Sequence, residues 1–361
     1  MAVSSNDEVI IKEAKAAYIE KNYEEVYRLT YDLVEKNNPA AYNLLALLLE
    51  NGNVVEQDEQ KAFDLYLKSA MLGYPAAQYN IGRFYEFGKS DLVPNIGEAL
   101  EWHYLAADKD YVYAQYRLGL AHKTGTSVKQ DNYLAFDWFQ KAANLDHKES
   151  QNELAYMHYQ GIGTDKNQKI AFDWWTKSAE QGLSISQYNL GVIYDNGSGV
   201  KENDMQAVKW YRKAAEQGNA EAQNAMGNMH YNGNGTVRDN KTAVRWYRKA
   251  AEQGLADAQQ NLGWMYDNGY GLPKNKKQAF SWFRKAAKQE HANAQYNLAV
   301  MYEKGKGVYK DARQAAKWYR KAAEQGYVDA QNALGGMYHN GNGIAKDNKK
   351  AVKWYRKAAN Q

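Results

Sequence analysis

The residues suited to acid–base or metal chemistry are few in this chain and are not placed to work together. His122, His158 and His230 stand singly, in slots where other segments carry Tyr. A zinc hydrolase needs H-E-x-x-H, which sets two imidazoles and a base on one helix face; a serine hydrolase needs G-x-S-x-G; neither occurs, nor does a P-loop. With no cysteine there is neither a thiolate site nor a disulfide framework. The loops NGSG, NGNG, NGYG and KGKG contain G-x-G but no third glycine or following G-K, and they lack the alternating carboxylates of a calcium loop. What does recur is aromatic and acidic: Tyr79, Tyr116, Tyr156, Tyr159, Tyr188, Trp264 and Tyr296, with Asp195, Asp267 and Glu303. The chemistry of that set is recognition. Rigid aromatic rings give contact area with few rotors to freeze, and carboxylates steer and hold Lys or Arg. The chain is therefore read as no enzyme, with no catalytic residue, metal or cofactor.

These residues sit on a repeating frame. Glutamine recurs at 78, 115, 151, 187, 223, 259, 295 and 331, every step 36 except the first, which is 37. Tyr42 opens a further unit, 36 before Gln78. Tryptophan keeps the same beat at 102, 138, 174, 210, 246, 282, 318 and 354, with Leu65 in the first unit, so the extra residue lies near KSDLVPNIG. WYRKAAEQG occurs verbatim at 210–218, 246–254 and 318–326. An active site is built once; copies at fixed period mark a structural unit that stacks. Within each unit the apolar spacing predicts two helices, the first with Gly or Ala four after the glutamine and Gly ten after it, the second burying an Ala, the Trp and an Ala-Ala pair.

The pattern A-x-x-x-L-G-x-M-Y-x-x-G-x-G…A-x-x-W-Y-x-K-A-A, carried by Ala330, Leu334, Gly335, Met337, Tyr338, Gly341, Gly343, Ala351, Trp354, Tyr355, Lys357, Ala358 and Ala359, resembles the Sel1-like repeat family, relatives of the tetratricopeptide repeat. The resemblance covers nine repeats over 38–361, starting near 38, 74, 111, 147, 183, 219, 255, 291 and 327; residues 7–37 resemble a plain tetratricopeptide pair, so 1–37 is read as an N-terminal helical cap. It implies an all-α, right-handed superhelical solenoid of stacked helix hairpins, with first helices lining a concave face. It also implies protein–protein interaction, in bacterial signalling, envelope assembly or contact with host proteins.

Positions one, five and eight after the glutamine share one face of the first helix, opposite the core stripe, and they hold the recognition set. The reading is a non-catalytic scaffold or adaptor that captures a partner protein or peptide bearing Lys or Arg in an acidic, aromatic concave groove. The plainer alternative is that these Tyr and Asn residues cross-link neighbouring helices and hold curvature. Other readings are an immunity or inhibitor protein that plugs an enzyme, and nucleic-acid binding through a convex stripe of Lys209, Arg212, Lys213 and their copies. That stripe lacks interleaved aromatics and is diluted by Glu216, Glu252 and Glu324, so a solvated face is preferred.

Bulk composition agrees. A quarter of the 361 residues are charged and 44% are hydrophobic, which argues against disorder. The net charge of +4 divides unevenly: residues 1–180 carry 18 Lys+Arg against 27 Asp+Glu, and residues 181–361 carry 28 against 15. That asymmetry, with no cap after Trp354, raises self-association through the C-terminal helix. MAVSSNDEVIIKEAKAAY has no basic stretch leading into an apolar leader, and the longest apolar run, Leu44 to Leu49, is too short to cross a bilayer. No membrane insertion and a cytoplasmic location are expected, with export or delivery to a host left open.

Overall fold

The computed structural model describes residues 5–360, which form helices and turns with no strand among them. Two compact units divide the chain, Met1–Ser178 and Ala179–Gln361. The first holds α1 (Ser5–Ile19), α2 (Tyr23–Glu35), α3 (Pro39–Asn51), α4 (Glu59–Met71), α5 (Pro75–Phe87), α6 (Ile96–Ala107), α7 (Val112–Thr124), α8 (Asn132–Asn144), α9 (Lys148–Gln160) and most of α10 (Gln168–Glu180). The second holds α11 (Ser184–Asn196), α12 (Asp204–Glu216), α13 (Ala220–Asn232), α14 (Asn240–Glu252), α15 (Ala256–Asn268), α16 (Lys276–Lys288), α17 (Ala292–Lys304), α18 (Ala312–Glu324), α19 (Val328–Asn340) and α20 (Asn348–Ala359). Within each unit, odd and even helices pair as hairpins, and each even helix packs on the next odd one. The architecture is an all-α repeat solenoid.

Local chemistry makes the hairpin. The second helices start at an Asp or Asn whose side chain accepts a first-turn N–H, as at Asp58, Asn95, Asp131, Asn203, Asp239, Asn275, Asp311 and Asp347. The first helices end at a left-handed glycine, Gly305 at φ 67 for example. Two residues on, Gly307 (φ 72) lies so near the start of α16 that a Cβ there would stand 2.2 Å from the Lys276 carbonyl oxygen.

The recurring glutamine joins one hairpin to the next. All eight donate Nε2 to the carbonyl of the alanine eight residues earlier, from Gln78 to Ala70 (3.3 Å) through Gln331 to Ala323 (3.2 Å). These carbonyls belong to the last turn of a second helix, where intrahelical partners run out. At Gln187, Gln223, Gln259 and Gln295 the glutamine Oε1 also accepts from the Gln of the following E-Q-G or K-Q-E segment, as Gln217 to Gln187 (2.7 Å) and Gln289 to Gln259 (2.9 Å).

The tryptophan is less buried than its period predicts. Trp210 is 7% exposed, but the others in register are half-buried. The core is filled instead by the next residue: Tyr66, Phe139, Trp175, Tyr211, Tyr247, Phe283 and Tyr319 are all buried. Its ring is what the small residue of the first helix accommodates, since a Cβ on Gly227 would stand 2.5 Å from Tyr247. Each tryptophan from 138 onward carries on its face the lysine three residues later, from 3.9 Å at Trp282–Lys285 to 5.2 Å at Trp318–Lys321.

Candidate functional site

The face built by positions one, five and eight of the first helices is present in both units, with different chemistry. In the first unit, Tyr79 and Tyr116 of this face are linked by a run of aromatic rings beside it. Tyr79 on α5 lies 5.3 Å from Tyr111, Tyr111 lies 5.7 Å from Tyr113, Tyr113 5.4 Å from His147, and His147 4.9 Å from Tyr116 on α7. Tyr111, Tyr113 and His147 are missing from the sequence reading; each precedes its first helix or stands at its start, off the counted face. Burial raises the phenol pKa of Tyr79 and Tyr116, which keeps them neutral donors. On α9, Tyr156 is 40% exposed under the Lys123 ammonium, and Tyr159 packs 5.4 Å from Trp175.

Three carboxylates of this unit are held by neighbouring side chains. Glu50 accepts from Tyr66 (2.7 Å) and Lys89 (2.5 Å), Glu86 pairs with Arg117, and Lys123 with Glu153 (2.5 Å). Burial works against the Glu50 charge, but Lys89 and Tyr66 bonds outweigh it and hold the carboxyl below its ordinary pKa.

The second unit has the more open surface. A hollow of about 450 Å³ lies over α13, α15 and α17, walled by Tyr231, Trp264, Asn228, Asn232, Asn261 and Asn297. A second, of about 310 Å³, shares Asn228 and Asn232 and continues to Tyr188, Asp195, Glu221 and Asn224. Trp264 stands edge-on to Tyr231 (5.5 Å) and tilts over Tyr270 (5.0 Å). A carboxamide ladder crosses the floor, Asn261 donating to Asn224 (3.0 Å) and Asn297 to Gln260 (3.2 Å). Burial raises the Asp195 carboxyl pKa, and Tyr211 donates to it at 3.2 Å.

The remaining residues of the set lie outside that hollow. Tyr296 packs on Tyr319 (5.7 Å) and Tyr327 (5.1 Å), Glu303 accepts from Tyr319 (2.9 Å), and Asp267 is held by Lys276 (2.5 Å). The structure thus joins Tyr188, Asp195 and Trp264 along one surface, and Tyr79 with Tyr116 along another. No group of three or more His, Cys, Asp or Glu able to hold a metal occurs among the described residues. No helix among them is long and apolar enough to cross a membrane. The arrangement offers amide donors and acceptors, ring faces and carboxylates.

The sequence model of the Sel1 repeat matches nine times, at residues 39–74, 75–111, 112–147, 148–183, 184–219, 220–255, 256–291, 292–327 and 328–361. Among solved structures, the chain is similar to a protective antigen of uropathogenic Escherichia coli strains displaying an SLR fold: 34% identity, TM-score 0.85, covering 93% of this chain and 72% of that one. It is also similar to a Sel1 repeat protein of Oxalobacter formigenes, at 32% identity and TM-score 0.64, covering 82% of this chain and 86% of that one. No curated protein matches.

Proposed function

Since the chain belongs to the Sel1 repeat family, whose members are generally protein-interaction scaffolds, we propose that it works without catalysis, holding an extended segment of a partner protein on the first-helix face of its second unit. The observation that carries this is the continuous surface from Trp264 to Asp195. Its floor is carboxamide, its wall aromatic and its far end acidic. An extended chain exposes N–H and C=O groups at regular intervals, and Asn228, Asn232 and Asn293 can bond them. An apolar side chain would lie on Trp264, and a Lys or Arg would reach the exposed Glu221.

Convex nucleic-acid binding has less support. Lys213, Lys249 and Lys321 lie over tryptophan rings, while Arg248 and Arg320 donate to Tyr266 and Tyr338. The test is capture of partners from source-cell lysate on the native chain and on a Trp264→Ala, Glu221→Lys variant of unchanged helicity. Proteins retained by the first and released by the second fit the proposal. Equal retention places the contact elsewhere, and capture that collapses at moderate salt with nuclease-sensitive material would favour nucleic acid.

A further inference from the structure

In the second repeat, the residue after the tryptophan departs from the aromatic rule: His103 follows Trp102 where the other repeats have Tyr, Phe or Trp. Where that residue is Tyr66, Tyr211 or Tyr319, its hydroxyl donates to the carboxylate that closes the first helix, at 2.7, 3.2 and 2.9 Å. The second repeat keeps the carboxylate, Glu86, but the imidazole is shorter. Its Nε2 stops 3.8 Å from Glu86 Oε2. That oxygen and both ring nitrogens have no hydrogen-bond partner, although His103 is only 2% exposed. Buried polar groups left unmatched are unfavourable, so the geometry favours an occupant.

Beside them is a cavity of about 160 Å³, walled by Ile96, Leu100 and Leu120 and edged by Thr126. The neighbouring loop helps explain it. Gly163, Gly235, Gly271, Gly307 and Gly343 press against the start of the preceding second helix, so closely that a Cβ would meet its backbone. The loop after α7 carries Ser127 in that place, at φ 57, and its Cβ is incompatible with the same approach; Thr126 of this loop and Ile96 at the start of α6 both line the cavity.

Size and charge narrow the ligand. A cavity of about 150 Å³ with aliphatic walls admits a benzene ring. Glu86 is already balanced by Arg117, so an added cation would face that guanidinium and Arg83, and an anion would face Glu86. These polar atoms are sealed from the cavity as the side chains stand; we propose that the cavity binds an uncharged phenol-sized ring towards which Glu86 and His103 turn, its hydroxyl donating to Glu86 Oε2 and accepting from the His103 N–H. The ring can be a free small phenol or the side chain of a partner's tyrosine.

The test uses the full chain, titrated with p-cresol, toluene and N-acetyltyrosinamide and followed by amide NMR shifts. His103→Tyr supplies the chain's own phenol to the slot, as Tyr66, Tyr211 and Tyr319 do, so it closes the site without removing packing. The native chain should bind p-cresol with a dissociation constant on the order of 1 mM. Toluene should bind about tenfold more weakly for want of the hydroxyl bonds, and His103→Tyr should lose p-cresol binding while keeping the native helical CD. Glu86→Gln, near-isosteric, should weaken p-cresol severalfold and gives a second reading if His103→Tyr misfolds. N-acetyltyrosinamide shifting the same amides assigns the cavity to a partner's tyrosine; p-cresol alone doing so assigns it to a free phenol. No saturable shift with any probe, toluene binding as well as p-cresol, or His103→Tyr binding p-cresol like the native chain overturns the proposal.

Discussion

Gly305 and Gly307 lie two residues apart in the loop between α17 and α18, at nearly the same backbone angle, φ 67 and φ 72. Their surroundings differ. A Cβ on Gly305 would make ordinary contact, 3.5 Å from Lys310; one on Gly307 would stand 2.2 Å from the Lys276 carbonyl oxygen and 2.4 Å from its carbon. Holding an alanine in the left-handed region costs about 1–2 kcal/mol, which both variants share. Only Gly307→Ala must also push two backbones apart, and overpacking of that kind adds about 1–3 kcal/mol. Gly305→Ala should therefore lose about 1–2 kcal/mol and Gly307→Ala about 2–5 kcal/mol. Urea unfolding followed by far-UV CD measures both. Hydrogen exchange on peptides covering α16 and α18 localises the damage, because stacked repeats can open locally. Exchange should quicken at the start of α16 in Gly307→Ala and not in Gly305→Ala. Equal losses with equal exchange would refute the idea that this glycine sets the approach of one repeat to the next.

Three further outcomes follow from the same packing. Gln259→Leu keeps the volume but removes the bonds to Ala251 and from Gln289; since Ala251 still accepts from Gly254, urea unfolding should show a loss of about 1–3 kcal/mol. Lys285→Met strips the ammonium 3.9 Å from the Trp282 ring and should cost about 0.5–1 kcal/mol, with a change in tryptophan emission. Burial, then the Arg83 charge, push the His103 pKa from 6.5 down to about 4, with Glu86 and Arg117 the other charges facing it. The folded chain thus favours neutral imidazole, so this contribution is whole above pH 6.5 and fades as pH falls towards 4. Relative to His103→Tyr, the native chain should lose about 3 kcal/mol more between pH 7 and pH 4, read from urea midpoints.

The frame was legible because stacking forces each repeat to solve the same problem with the same residues. Gln259 and its seven counterparts could be counted, although a period does not reveal that the side chain bonds a carbonyl of the preceding helix. The period overstates the burial of the tryptophan for a related reason: Trp246 and Tyr247 are adjacent and equally periodic, and only packing shows that Tyr247 enters the core while Lys249 covers Trp246. The ion pairs Glu50–Lys89 and Glu86–Arg117 join residues from neighbouring repeats, where long side chains choose partners by reach and no local pattern records the choice.

The acidic face shows how such choices separate packing from recognition. The carboxylate eight after the glutamine is taken internally whenever the residue sixteen further on is tyrosine, as at Glu50, Asp195 and Glu303. At Asp267 that residue is Phe283, which has no hydroxyl to give, and the carboxylate turns to Lys276. At Glu86, where the extra residue makes the step seventeen, it is His103, which falls short, and one oxygen stays unmatched. A count of acids along the face therefore overstates what a ligand meets. The informative variable is whether the second helix of the same repeat can reach the carboxylate, and in the second repeat it does not.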